Sequence, residues 1–269
     1  MANLDDKKSA ILSGFQVPVK PEVLSNIDRL MAQKEPDIQK VADLISSDVG
    51  LSANILKIIN SPLYGVHRQV SDIKQAVMIL GLKTINTLVT ATLLKQSFSG
   101  KASISLARFW DDANDIANAM IFIGSKIKTK IPIDMLYSIG LFHHCGIPLL
   151  ALRYENYKNV LIEANSSDGN FIAIEDKYYH TNHAVLGYFI STSWNLILQH
   201  HDNQYLCSDV DSEYKIAFAV LMAAENTVER AKRFNSVASW ETSEKLILDI
   251  LGISTMDYAE INDDYYDSL

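Results

Sequence analysis

Apolar residues recur along most of this chain at the spacing of one helical face. Val23, Leu24, Ile27, Leu30 and Met31 follow the i, i+3, i+4, i+7 rule behind Pro21, and proline is pre-shaped for the first turn of a helix. Ile38, Val41, Ala42 and Ile45 repeat the pattern behind Pro36. Leu51, Ile55, Leu56 and Ile59 give a third short helix, with Ser52 near its start. Ser71 or Asp72 can cap a fourth, carrying Ile73, Ala76, Val77 and Leu80 and ending at Gly81. A longer helix is predicted over 83–98. The clearest internal break runs from Phe98 to Ser103.

Beyond that break the pattern predicts a long helix over 105–128 and another opened by Pro132, whose end carries Phe142, His143, His144, Cys145 and Gly146. Shorter helices are predicted near 148–165, 173–179 and 182–194, with a surface loop over 166–170. Two more cover 212–233 and 240–251. The acidic tail 262–269 is expected to fray. No stretch alternates apolar and polar residues long enough to build a sheet, so the predicted fold class is all-α.

Composition supports this reading. Of 269 residues, 48% are apolar and 21% charged, a globular balance. Eleven glycines and six prolines are few for a turn-rich sandwich or barrel. The net charge of -8 disfavours an electrostatic grip on nucleic acid. Two cysteines, Cys145 and Cys207, cannot form a disulfide framework or a cysteine-based zinc ribbon. The polar start lacks the apolar core of a secretory signal. The apolar run 75–94 is interrupted by Lys83 and Asn86, and 139–152 contains two histidines, so no membrane span is expected. The expected location is the cytoplasm.

Residues 41–59 have the rhythm of a helix-turn-helix. A recognition helix needs partners for phosphates and base edges. Residues 37–59 instead set Asp37, Asp43 and Asp48 against Lys40 and Lys57, with no arginine. Two packed core helices fit better. The following segment, Asn60, Ser61, Pro62, Leu63, Tyr64 and Gly65, reads as a structural turn. Asn60 tolerates a left-handed helix end, Ser61 can bond locally, Pro62 stops the helix and Tyr64 anchors the turn in the core.

Six of the seven histidines lie between residues 143 and 201, as His143-His144, His180 with His183, and His200-His201. Ligands spread over several helices are how bundle metal sites are built. Any single one of these rings is more simply a helix-end cap or a part-buried side chain. His180 and His183 share neighbouring helix surface if both are helical. Cys145 reads as a buried structural thiol.

The order of motifs resembles the HD-related output domain (HDOD) family. Asp48 to Leu51 resembles a D-P-x-L element, Asn60 to Gly65 an N-S-x-x-Y-G element, and Ile73 to Gly81 an I-x-x-A-I-x-x-L-G helix. Phe109-Trp110, then Gly140 to Gly146 (similar to G-L-L-H-D-I-G), Glu175, His183 to Gly187 and Trp194 to Leu196 continue it. The resemblance covers about 14–205, leaving a leader at 1–13 and C-terminal helices with an acidic tail at 206–269.

It implies an HD-like multi-helix domain related to metal-dependent phosphohydrolases. Such domains have generally lost the HD catalytic residues and act as output modules near two-component and cyclic di-GMP signalling. Carried over by position, the first HD histidine falls on Asp112, the His-Asp pair on His143 and His144, the last aspartate on Glu225, and a retained histidine on His183. His200 and His201 resemble a closing histidine pair, about two helical turns nearer Trp194 than the family pattern implies. No Gly-Tyr-Pro loop is present.

The resemblance therefore implies a non-catalytic bacterial signal-transduction scaffold that binds a protein partner and needs no cofactor. In that case an aspartate buried at the degraded site, Asp112, can pair with a histidine, raising the histidine pKa and depressing that of the aspartate. The alternative is a divergent phosphohydrolase acting on a phosphoester or nucleotide. Manganese, iron or zinc would then be held by Asp112, His143, His144 and His183, with Glu225 a further ligand.

Overall fold

The computed structural model describes residues 14–64, 66, 68–166, 171–194, 196, 212–233 and 238–268. Gly65, His200 and His201 lie outside the described residues. Every regular element among the described residues is helical. The chain divides into two compact units, Pro18–Ser99 and a larger one formed by Met1–Val17 with Gly100–Leu269.

The smaller unit contains α1 (Glu22–Met31), α2 (Ile38–Ser46), α3 (Val49–Ile59), a 3₁₀ turn (Pro62–Tyr64) and α4 (Ile73–Ser97). Three of its helices start on an aspartate. Asp37, Asp48 and Asp72 accept the backbone N–H of Lys40, Leu51 and Gln75, satisfying donors that a helix start leaves open. Asp48, the first residue of the D-P-x-L-like element, is thus a helix cap. The predicted stripes form the core, with Leu24, Ile27, Ile45, Leu51, Ile55 and Ile59 almost wholly buried. The predicted break at Gly81 is real: its φ of +82° lies outside the helical range and divides α4 into two limbs.

The turn after α3 corrects one expectation. Asn60 is not left-handed; its φ is -79°. Its side chain instead clamps the strandlike approach to α4. Nδ2 donates to the Val70 carbonyl at 2.9 Å and Oδ1 accepts the Val70 N–H at 2.8 Å. The paired geometry needs an amide, which explains asparagine here better than backbone conformation does. Asn60→Ala is expected to cost about 1–2 kcal/mol, read as a lower urea midpoint with an unchanged slope. Tyr64 is buried as predicted, at 6% exposure.

The larger unit contains α5 (Leu106–Lys126), α6 (Ile133–Phe142), α7 (Ile147–Arg153), α8 (Tyr157–Ser166), α9 (Phe171–Tyr179), α10 (His183–Trp194), α11 (Ser212–Arg233), α12 (Ala238–Leu251) and α13 (Thr255–Asp267). The predicted helix over 148–165 is two helices, parted where Tyr154 turns extended. Helix α11 packs against α5, α6 and α12.

The acidic tail does not fray. Ser254 and Asp257 form a reciprocal capping box at the start of α13, and Tyr258, Ile261, Asn262 and Tyr265 are buried. These four residues keep the i, i+3, i+4, i+7 spacing. Aspartates on the opposite face obscure that stripe in the sequence.

Ile73–Ser97 and Ile133–Arg153 are long and apolar enough to cross a membrane by length and composition alone. Gly81 interrupts the first, and the turn after Phe142 interrupts the second. Within the protein, 50% of the first apolar window and 78% of the second are buried, as expected of core helices.

Candidate functional site

The site belongs to the larger unit and begins where α6 ends. Almost every α6 side chain from Asp134 to Phe142 is buried, so the helix runs through the core and delivers His143 to an interior position. Trp110 of α5 meets Phe142 edge-on with ring centres 6.2 Å apart. After His143 the chain turns tightly into α7. A Cβ on Gly146 would lie 2.0 Å from the His183 carbonyl, so only glycine lets this turn approach the start of α10.

Three donors converge. His143 Nε2 lies 3.5 Å from Glu225 Oε1, and His144 Nε2 lies 3.8 Å from the same oxygen. One donor atom from each residue falls within 4.8 Å of the other two. The His143 side chain is 3% exposed, Glu225 18% and His144 33%, so the group opens to water on the side of His144. His143 Nδ1 sits 2.6 Å from the Gly140 carbonyl. A carbonyl only accepts, so Nδ1 carries the proton and Nε2 turns its lone pair toward Glu225.

Burial governs the electrostatics. It pushes the Glu225 carboxyl up to about 8. It pulls His143 down to about 4, against the raising effect of the Gly140 carbonyl and with a smaller lowering by His183. The expected pairing of Asp112 with a histidine does not form, since Asp112 pairs with Lys232 at the surface, and the carboxyl beside His143 is that of Glu225. Removing charge from water outweighs mutual attraction here. Between the two values the stable form is neutral imidazole with a carboxylic acid.

A second buried cluster stands behind His144. Glu175, at 0% exposure, accepts the His183 backbone N–H at 2.8 Å and the His183 ring Nδ1–H at 2.6 Å, both on Oε2. Tyr157 donates its hydroxyl to Oε1. Burial, then the Glu175 charge, hold the Tyr157 pKa well above its ordinary value. The His183 ring is set edge-on between His144 at 4.9 Å and Phe171 at 5.6 Å. His180 does not join it. It occupies a left-handed turn residue, φ 53°, between α9 and α10, so the two histidines do not share a helix face.

Asp112 does not reach this group. Its side chain is 65% exposed and pairs with Lys232, which also contacts Asp115 at 2.8 Å. Tyr157, Lys232 and the positioning of His183 by Glu175 were not legible in the sequence. The Glu175 and Tyr157 contacts bridge separate helices, and no local spacing announces them. The predicted His143, His144 and Glu225 do meet.

The donor set fits one divalent ion. Two imidazole nitrogens and one carboxylate oxygen converge, and the His143 tautomer already faces inward. His144 cannot itself bridge two ions, because it supplies one nitrogen where an aspartate would offer two oxygens.

A family model for the HDOD domain matches residues 17–203. The chain belongs to the HDOD family. It is 24% identical over 223 residues to an uncharacterized protein of Treponema pallidum (strain Nichols), covering 79% of this chain and spanning 42% of that protein's length. Its fold is similar to a crystal structure from Shewanella amazonensis SB2B provisionally named a phosphohydrolase. The TM-score is 0.66 at 20% identity, covering 96% of this chain and 94% of that one. It is also similar to a chain from Marinobacter aquaeolei VT8 provisionally named a signal transduction protein. That TM-score is 0.69 at 17% identity, covering 98% of this chain and 63% of that one. The HDOD match ends before α11, so Glu225 lies beyond the matched segment.

Proposed function

We propose that this HDOD chain is a non-catalytic signal-transduction module of the bacterial cytoplasm that works by holding a protein partner. One observation carries the reading: Asp112, at the first HD ligand position, is bound to Lys232 at the surface. Among the described residues the site brings together His143, His144 and Glu225, and the Glu225 carboxyl prefers to keep its proton at neutral pH. HD hydrolysis calls for carboxylates that bind metal and help make hydroxide from bound water. A partner from two-component or cyclic di-GMP signalling suits the family. The signal-transduction name of the Marinobacter relative agrees with that choice, and the charge of -8 argues against nucleic acid.

The second reading, a metal-dependent phosphohydrolase, is favoured by the convergence of His143, His144 and Glu225. A bound divalent ion would supply Lewis acidity and a lowered water pKa. His143 would present Nε2 without losing a proton, and Glu225 would release one on binding.

Calorimetric titration with manganese, iron(II) and zinc separates the two. No wild-type affinity tighter than about 10 μM is expected at pH 7, equivalent to roughly -7 kcal/mol, and no phosphoester hydrolysis. Below pH 8 the affinity should strengthen as pH rises, with up to one proton released from Glu225 per ion. Submicromolar binding together with hydrolysis that His143→Ala abolishes would establish the enzyme instead.

A further inference from the structure

Glu225 reaches the two histidines only if α11 has one particular rotation. A slip of one residue turns a helix by about 100° and carries the carboxylate out of the site. The packing face of α11 is rich in alanine, including the buried Ala217, Ala219, Ala223 and Ala224. Small side chains allow close approach but define rotation poorly. The larger buried side chains Val220, Leu221 and Met222 steady it only through apolar contacts.

The residues beside Glu225 fix the rotation through α13. Asn226 and Thr227 are both 0% exposed. Asn226 Nδ2 donates to the Tyr258 hydroxyl at 3.1 Å, and Tyr258 donates to the Ala223 carbonyl at 2.9 Å. Thr227 Oγ1 lies 2.6 Å from Asn262 Oδ1, 2.8 Å from the Ala223 carbonyl and 3.0 Å from the Tyr258 hydroxyl, so the two arms of the network meet at the Thr227 hydroxyl. Tyr258 and Asn262 stand four apart on one face of α13 and are 2% and 3% exposed. Helix α13 therefore grips α11 over residues 223–227, on both sides of Glu225. Apolar contacts tolerate a small rotation. Buried hydrogen bonds are directional, and breaking them strands polar atoms in a dry interior.

We infer that Thr227, Tyr258 and Asn262 are positioning residues for the Glu225 carboxylate, so that the C-terminal helix α13 is a working part of the site. This goes beyond the signalling reading and holds whether or not the site takes a metal.

The test uses metal-free full-length protein. Thr227→Val with Asn262→Leu replaces both partners of one arm by apolar groups of similar size. Tyr258→Phe removes the other arm by a single atom. Thr227→Ser keeps the hydroxyl and serves as the conservative variant. Each is measured by thermal melting and by NMR, following the nuclear Overhauser contacts of the His143 and His144 rings with the Glu225 side chain and the Glu225 carboxyl carbon shift. Both disruptive variants should melt cooperatively yet lose the ring contacts and move the carboxyl shift toward that of a solvated glutamate. Thr227→Ser should match wild type. If the double variant does not fold, Tyr258→Phe and Thr227→Ser decide. Retention of the ring contacts and shift in folded Tyr258→Phe, or in the double variant, would show that the network only packs. Metal titration of wild type fails or succeeds separately, so the signalling reading is judged on its own.

Discussion

Glu225→Gln is expected to make the metal-free protein more stable than wild type near pH 9, by up to about 5 kcal/mol, and to leave it unchanged near pH 4. The folded protein raises the Glu225 pKa from 4.5 to about 8, chiefly by burial. A raised carboxyl means that the folded state holds its proton more tightly than the unfolded state. Its stabilising effect is complete below pH 4.5 and is lost as pH rises through 8. Glutamine copies the protonated acid in shape and in having a donor beside an acceptor, though with one more N–H, and it never ionises, so the alkaline loss disappears. The 18% exposure of the carboxyl side chain lets some water relieve the charge, which makes the figure an upper value.

His143 acts in the opposite sense. Its folded pKa falls from 6.5 to about 4, so its contribution is complete above pH 6.5 and is lost as pH falls toward 4, by about 3 kcal/mol. Between about pH 4.5 and 6.5 the two slopes oppose each other and stability should be flat. Urea unfolding at pH 4, 5.5, 7 and 9 checks this. Parallel stability curves for wild type and Glu225→Gln across that range would show that the carboxyl titrates normally.

Why the sequence revealed some of this and not the rest can be traced residue by residue. The Asp72 cap and the apolar stripes of α1 to α3 are local, and local chemistry decides them, whereas the Asp37 and Asp48 caps emerge only in the structure. His143 and His144 were visible as a pair and Glu225 through family order; the fold brings all three together. Asp112 was assigned to the same site by position, yet the helix itself argues otherwise. It stands two residues after buried Trp110 and one before buried Ala113, and two residues turn a helix by about 200°. The inward face of α5 therefore belongs to Trp110, Ala113 and Ala117, and Asp112 must look out. The directions of the pKa shifts were hidden for a different reason. Residue types disclose which groups can pair, but only packing discloses how little water reaches them. Helix α13 was missed because its aspartates drew attention away from a regular apolar stripe.

The largest loss of stability is expected from Glu175→Ala, at about 3–5 kcal/mol. The carboxylate is wholly buried and accepts from three donors: the His183 backbone N–H, the His183 ring and the Tyr157 hydroxyl. Alanine removes the acceptor and leaves those donors in a space too apolar to repay them, each at about 1–3 kcal/mol if it stays unsatisfied. It also opens a cavity between His183 and Tyr157. The start of α10 suffers directly, since Glu175 satisfies the first backbone N–H of that helix. Glu175→Gln should cost clearly less, because an amide keeps the volume and one oxygen, and the Tyr157 hydroxyl can turn to accept. The effect should pass to the site as well. Without Glu175 nothing holds the proton on His183 Nδ1, and the ring that meets His144 edge-on at 4.9 Å is released. Nitrogen-15 spectra should show His183 as the Nδ1–H tautomer in wild type and as a mixture in Glu175→Ala. A urea midpoint within error of wild type, with the tautomer unchanged, would mean that the carboxylate does not hold this corner of the protein together.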